Sequence, residues 1–172
     1  RSRGLGDVYK RQHQNGGAER NKMKENLPKR KNIRLRYYDY SEEGLYFITI
    51  CTKNREQLLG KITEENQIKL TKVGTIVEKS IRNLERIYSN ITIDEYVVMP
   101  NHIHIIIIIN EKNDLTISRI INQYKGGITK KIGYPIWQKL FYEHIIRNEN
   151  EYYKIKQYIQ SNIANWKEDC NF

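Results

Sequence analysis

Met99-Pro100-Asn101-His102-Ile103-His104, continuing through the unbroken run Ile105 to Ile109, is the stretch on which the reading of this chain turns. Side chains of a strand alternate between faces, so His102 and His104 point one way while Ile103 and Ile105 point into a core. Two imidazoles so placed are spaced to grip one metal ion on one face of a buried strand. Two histidines on the wet face of an edge strand would show the same alternation and bind nothing, so the rest of the chain has to arbitrate.

Immediately upstream, Ile91 to Met99 reads as a second strand, and Pro100-Asn101 is a tight turn that makes it an antiparallel hairpin with His102 to Ile109. Leu45 to Thr52 is dense in aromatic and β-branched residues and predicts another strand. Leu58 to Leu70 predicts a short hairpin around Glu64-Glu65-Asn66. Leu70, Val73, Val77, Ile81, Leu84 and Ile87 then repeat at helical spacing, which predicts one inward-facing stripe over about five turns. Downstream, Leu115, Ile120, Ile121, Tyr124 and Ile128 predict a helix interrupted or ended near Gly126-Gly127. Trp137 to Ile146 predicts a strand. The order β-α-β-β-α-β matches the ferredoxin-like plan, an α+β fold with an antiparallel sheet and helices on one face, here with a C-terminal helix appended.

That last helix begins where Asn148 can cap and Glu151 can answer three residues later, a capping box with Asn in place of Ser or Thr. Tyr152, Ile155, Ile159, Ile163 and Trp166 form its apolar stripe. Tyr158 and Asn162, four apart, fall together at one edge of it, where the helix meets the sheet.

The formal charge is +10, from 30 Lys and Arg against 20 Asp and Glu, and points to a polyanionic partner. Thirteen tyrosines interleaved with those charges favour nucleic acid, because aromatic faces stack on unpaired bases while cations track phosphates. Cys51 and Cys170 are far apart and lack C-x-x-C spacing, so neither a disulfide framework nor a zinc knuckle is indicated, and a reducing cytoplasm is expected. No window approaches the length of an apolar membrane span and no leader pattern opens the chain, so no membrane partner is expected. Residues 1–28 read as a disordered or artefactual tail preceding one domain over 29–172. Asp7-Val8-Tyr9-Lys10-Arg11-Gln12 is also the translation of GAT-GTG-TAT-AAG-AGA-CAG, which resembles a transposon-end adapter used in sequencing libraries, and the natural start is expected near Met23. Without residues 1–22 the formal charge is still +6, because six bases and two acids are removed.

The blocks Tyr37-Tyr38-Asp39-Tyr40-Ser41, Tyr46-Phe47-Ile48-Thr49-Ile50-Cys51-Thr52, Met99-Pro100-Asn101-His102-Ile103-His104, Trp137-Gln138, Tyr142-Glu143-His144-Ile145-Ile146-Arg147-Asn148 and Tyr158-Ile159 together resemble the REP-associated tyrosine transposases. These belong to the single-tyrosine HUH transposases, the insertion-sequence-200-like group. The likeness runs from about Lys29 to Trp166, in the family's order.

What the resemblance implies is a nuclease and strand transferase acting on single-stranded DNA, often at hairpin repeats. It implies His102 and His104 as the His-hydrophobic-His metal motif, Tyr158 as the nucleophile heading a Tyr-x-x-x-Asn helix, and Asn162 as the residue completing the metal shell. His144 belongs to a family block and is a candidate for a place near the site, against the plainer role of a hydrogen-bonding structural histidine. Lys29, Arg30, Lys31, Arg34 and Arg36 form a basic arm that would reach along DNA or read a short flanking tetranucleotide, against the alternative of a solvated terminus.

Elementary chemistry agrees. A phosphodiester repels an anionic nucleophile, and a phenol with a pKa near 10 is mostly neutral at pH 7, so charge must be neutralised and geometry fixed. One divalent ion on two imidazoles and an amide oxygen leaves positions for phosphate oxygens, and such a mixed donor set suits Mg²⁺ or Mn²⁺. In one respect the chain departs from the family: Ile163 stands where a proline usually follows the helix asparagine, which would let the helix run on to Trp166. Two rival readings are a domesticated protein that binds repeat hairpins without cutting, and a rolling-circle replication initiator with the same metal motif. Monomer and helix-swapped homodimer are equally compatible with the sequence.

Overall fold

The long β-branched run from His102 to Ile109 becomes an interior strand with neighbours on both sides, and the rest of the sheet is laid out around it. A computed structural model describes residues 41–112 and 114–166, all within one compact unit spanning Arg36–Phe172. The boundary drawn at residue 28, the Met23 start, Cys170 and the basic arm Lys29 to Arg36 therefore lie outside the described residues. In chain order the elements are β1 (Gly44–Cys51), a 3₁₀ turn (Lys53–Arg55), β2 (Gly60–Ile62), β3 (Ile68–Leu70), α1 (Lys72–Arg82), α2 (Leu84–Ile87), β4 (Ile91–Val98), β5 (His102–Ile109), α3 (Ile117–Ile132), β6 (Tyr142–Ile146) and α4 (Glu149–Ser161).

The four-stranded sheet has the order β4-β5-β1-β6, with every neighbouring pair antiparallel. This is the ferredoxin-like arrangement expected from the sequence, with β2 and β3 inserted as a separate two-stranded hairpin. One face carries Tyr46, Ile48, Ile50, Ile103, Ile105, Ile107 and Ile109, buried against Val77 and Ile81 of α1 and Ile117, Ile120, Ile121, Tyr124 and Ile128 of α3. Each of these isoleucines contributes roughly 1.5–3 kcal/mol relative to an exposed side chain. The opposite face carries Phe47, Val97, Met99, Ile106 and Ile146, and α4 covers it through Ile159, with Tyr152, Ile155, Ile163 and Trp166 packed around the edge.

Four local expectations need correction. The five-turn helix is two pieces: Leu70 belongs to β3, α1 stops at Asn83, and Ile87 at the end of α2 is 60% exposed rather than inward-facing. The second helix runs straight through Gly126-Gly127 and ends at Gly133, whose φ of 92° supplies the left-handed cap. The strand proposed from Trp137 is only Tyr142–Ile146, with Trp137 making an isolated bridge to Thr52. Finally, α4 ends at Ser161, and looser turns carry the chain from Asn162 to Trp166.

Two glycines give opposite expected results. A Cβ on Gly74 would lie 1.8 Å from the Leu59 carbonyl oxygen, where α1 crosses the hairpin. Gly74→Ala should therefore cost at least about 2–3 kcal/mol in urea unfolding. Gly126→Ala places its methyl in open space within α3 and should stabilise by about 0.5–1 kcal/mol.

Candidate functional site

β5 presents His102 and His104 on the face covered by α4, and both are buried. Their ring centroids lie 4.6 Å apart. Because β5 sits between β4 and β1, the wet edge-strand alternative for the pair is excluded.

Each imidazole is oriented by a neighbour. Asn101 Oδ1 accepts from His102 Nδ1 at 2.7 Å, which leaves a lone pair on Nε2. Thr49 Oγ1, directly across the β1–β5 ladder, lies 2.8 Å from His104 Nδ1. Phe47 stacks on His104 with centroids 5.3 Å apart, and Trp166 stacks on His102 at 6.1 Å. Such second contacts fix ring orientation and tautomer at metal sites.

Burial disfavours charge on both rings. It lowers the His102 pKa to about 4, with the Arg55 guanidinium adding to the effect and the Asn162 amide opposing it. It lowers that of His104 to about 3, helped by its proximity to His102. Both rings are therefore neutral at pH 7. In the unfolded chain the same groups take up protons near pH 6.5, so acidification favours unfolding: this part of the stability is complete above that pH and drains away as pH falls toward 4. Between pH 7 and pH 5 the metal-free protein should lose about 2 kcal/mol per imidazole, read by thermal melts. His104→Gln should flatten the profile.

The helix brings the other two candidates to the same place. Asn148 accepts from the Glu151 backbone N–H at 2.9 Å, starting α4 as the sequence suggests. Glu151 answers one residue further back than a capping box requires: its Oε2 accepts from the Arg147 N–H at 2.8 Å, and its Oε1 lies 2.7 Å from His144 Nε2. These bonds hold the Glu151 carboxyl below the usual carboxylate range. Further along, Tyr152 donates to Asp94 at 2.9 Å and Lys156 reaches both. Asp94 sits at the bulge where the β4–β5 register shifts, so the bulge aims its carboxylate at the helix. Gln160 donates to Glu95 at 2.8 Å.

So pinned, α4 places the Tyr158 hydroxyl 3.3 Å from His104 Nε2, with the ring edge-on to Phe47 and 38% exposed. Asn162, one turn on, is 1% exposed and faces His102. Yet neither its Nδ2 nor its Oδ1 has a hydrogen-bond partner of acceptable length and angle. Native proteins seldom bury both polar ends of an amide without partners, so a bound group that accepts the oxygen fits this position. Among the described residues no group of three His, Cys, Asp or Glu is placed to hold a metal ion. A cation here would accordingly be held by two imidazole nitrogens and an amide oxygen, which the three side chains can supply.

His144 shares the sheet face through its pairing with Phe47, but its ring nitrogen is committed to Glu151. Thr49, Asn101, Phe47, Trp166 and Arg55 were not read from the sequence as site residues, although the first four stand in its strand, turn, family-block or helix-stripe assignments. A polar residue between Ile48 and Ile50 was a visible signal for Thr49, whereas Arg55 had none. No helix among the described residues is long and apolar enough to cross a membrane.

The family described as Transposase IS200 like matches residues 41–162. An uncharacterized protein of Haemophilus influenzae is 37% identical, over 81% of this chain and 91% of that protein. A REP-associated tyrosine transposase of Escherichia coli is 33% identical, over 72% of this chain and 68% of its own length. Among solved structures, that of a REP-associated tyrosine transposase bound to a REP hairpin is similar with a TM-score of 0.58 and 30% identity, covering 77% of this chain and 72% of the other.

Proposed function

As a member of the IS200-like transposase family, the chain is a transposase, and we propose that it works as a divalent-metal-dependent endonuclease and strand transferase on single-stranded DNA at hairpin repeats. The observation that carries this reading is the convergence of the Tyr158 hydroxyl, the neutral histidine pair and the unpartnered Asn162 amide on one face of the sheet.

His102, His104 and Asn162 would hold one Mg²⁺ or Mn²⁺. When bound, the cation supplies Lewis acidity that draws charge from the phosphoryl oxygens. Tyr158 supplies the nucleophile: its phenolic oxygen bonds to phosphorus, the bond from phosphorus to the 3′ oxygen breaks, and the phenolic proton passes to solvent. The departing 3′ oxygen takes a proton from solvent and leaves as a hydroxyl, and the DNA 5′ phosphate remains esterified to Tyr158. Attack by a new 3′ hydroxyl reverses the step, so no nucleotide cofactor is consumed. Phe47 and the helix pins at Asp94 and Glu95 keep the phenol ring aligned. Partial exposure of Tyr158 leaves the strand a route to it.

Incubation with labelled single-stranded hairpin DNA from the gene's own neighbourhood tests this reading. A covalent adduct with Mn²⁺ and none with EDTA is expected; equal yields with the chelator would sink the metal role. The basic arm Lys29 to Arg36 would add sequence-independent phosphate contacts. Deleting residues 28–36 should weaken hairpin binding and flatten its dependence on salt; unchanged affinity would remove the arm from recognition.

A further inference from the structure

We propose that Arg55 is a substrate-contacting residue, whose guanidinium holds non-bridging oxygens of the scissile phosphodiester beside the histidine pair; the proposal rests on the nuclease reading above. The chain leaves β1 at Cys51, the ladder partner of His102, so the next residues run past the histidine end of the sheet. Thr52, fully buried, ties that exit to the neighbouring turn. Its N–H donates to the Asn101 carbonyl at 2.9 Å, and its hydroxyl lies 2.9 Å from the same oxygen and 2.7 Å from the Glu56 carbonyl. Asn101 is also the residue that orients His102. Lys53 donates to the Ile136 carbonyl at 2.7 Å and Leu59 to that of Pro100 at 2.9 Å, which fixes the turn from both sides.

Within this anchored turn Asn54 and Arg55 adopt φ of 53° and 55° in succession. Left-handed backbone at a non-glycine residue is unfavourable and persists only where the surroundings impose it. The cation so presented forms no ion pair or side-chain hydrogen bond among the described residues. The Arg55 N–H closes the turn on the Thr52 carbonyl at 3.1 Å, and Thr52 is bonded to Asn101, the chain neighbour of His102, so the turn stands at the histidine end of the sheet. A planar guanidinium matches two phosphate oxygens at once, and charge shared over those oxygens changes during transfer. The neutral imidazoles cannot supply that complement.

Two measurements test the assignment. Arg55→Gln should slow formation of the Tyr158–DNA adduct on the order of 10²-fold, with partial rescue in Arg55→Lys. Separately, once the cleaved linkage is mapped, the Tyr158→Phe protein is titrated in EDTA with hairpin DNA carrying a neutral methylphosphonate at that linkage. The substitution should weaken binding about tenfold, and Arg55→Gln in the same background should erase most of that difference. An unchanged adduct rate, or a methylphosphonate effect that survives Arg55→Gln, overturns the role of Arg55 while leaving the nuclease intact. A parent chain that forms no adduct overturns the nuclease reading and this role together.

Discussion

Tyr158→Phe should abolish covalent capture of DNA, lowering adduct formation on the order of 10⁴-fold or more, while hairpin affinity and fold persist. The change removes one oxygen from a ring that keeps its edge-on packing against Phe47. The hydroxyl contacts His104 Nε2 at 3.3 Å, longer than a strong hydrogen bond, so its loss should move unfolding by less than about 1 kcal/mol. A large kinetic effect with a small thermodynamic one separates a nucleophile from a structural tyrosine. Comparable losses in both would make Tyr158 a packing residue.

Asn162→Leu should produce effects of opposite sign. Neither polar atom of the buried wild-type amide has a hydrogen bond of acceptable length and angle, and a leucine, with the same heavy-atom count and branching, removes that desolvation cost. The metal-free protein should gain on the order of 1 kcal/mol, raising its melting temperature by about 2–4 °C. Mn²⁺ should raise the melting temperature of the parent chain by mass action and leave that of Asn162→Leu almost unmoved. Adduct formation should fall on the order of 10²-fold, within the range for loss of a ligand's support. If Mn²⁺ stabilises both proteins equally, Asn162 does not hold the cation. If the leucine variant is destabilised, the amide has a structural role instead.

Most of the sheet was legible because burial on a pleated surface leaves a strong trace. The His-Ile alternation at the start of the β-branched run and the turn at Pro100-Asn101 fixed the β4–β5 hairpin, whose second strand is interior to the sheet, and with it the face that bears the histidines. Periodicity failed where a local choice competes with it. Leu84 and Ile87 continue the helical spacing of Val77 and Ile81, but Asn83 ends α1 with its N–H bonded to the Lys79 and Ile81 carbonyls, and the stripe loses its direction. Gly126 and Gly127 did not stop α3. Two glycines cost about 1 kcal/mol each against alanine, and the buried stripe from Ile117 to Ile128 outweighs that. The strand forecast from Trp137 shrank because Gln138 bonds back to Cys51 and the buried Lys125 ammonium takes the Gln138 and Lys139 carbonyls, leaving the ladder to begin at Tyr142.

The site was legible as residue types and only partly as geometry. His102 and His104 lie two apart on one strand and Tyr158 and Asn162 four apart on one helix, spacings that guarantee each pair a common face. That the two faces meet depends on the Asp94 bulge and the Glu151 clamp, which no one-dimensional spacing encodes. Orientation by Thr49 depends on ladder register, and the approach of Arg55 depends on a left-handed turn.

The most direct test is mass spectrometry of the intact protein after incubation with its own hairpin DNA and Mn²⁺, followed by mapping of the modified peptide. The account predicts a mass increase equal to the 5′-phosphorylated downstream strand, less one water, located on Tyr158. A hairpin bound tightly with no mass increase, or an adduct on any other residue, would contradict it.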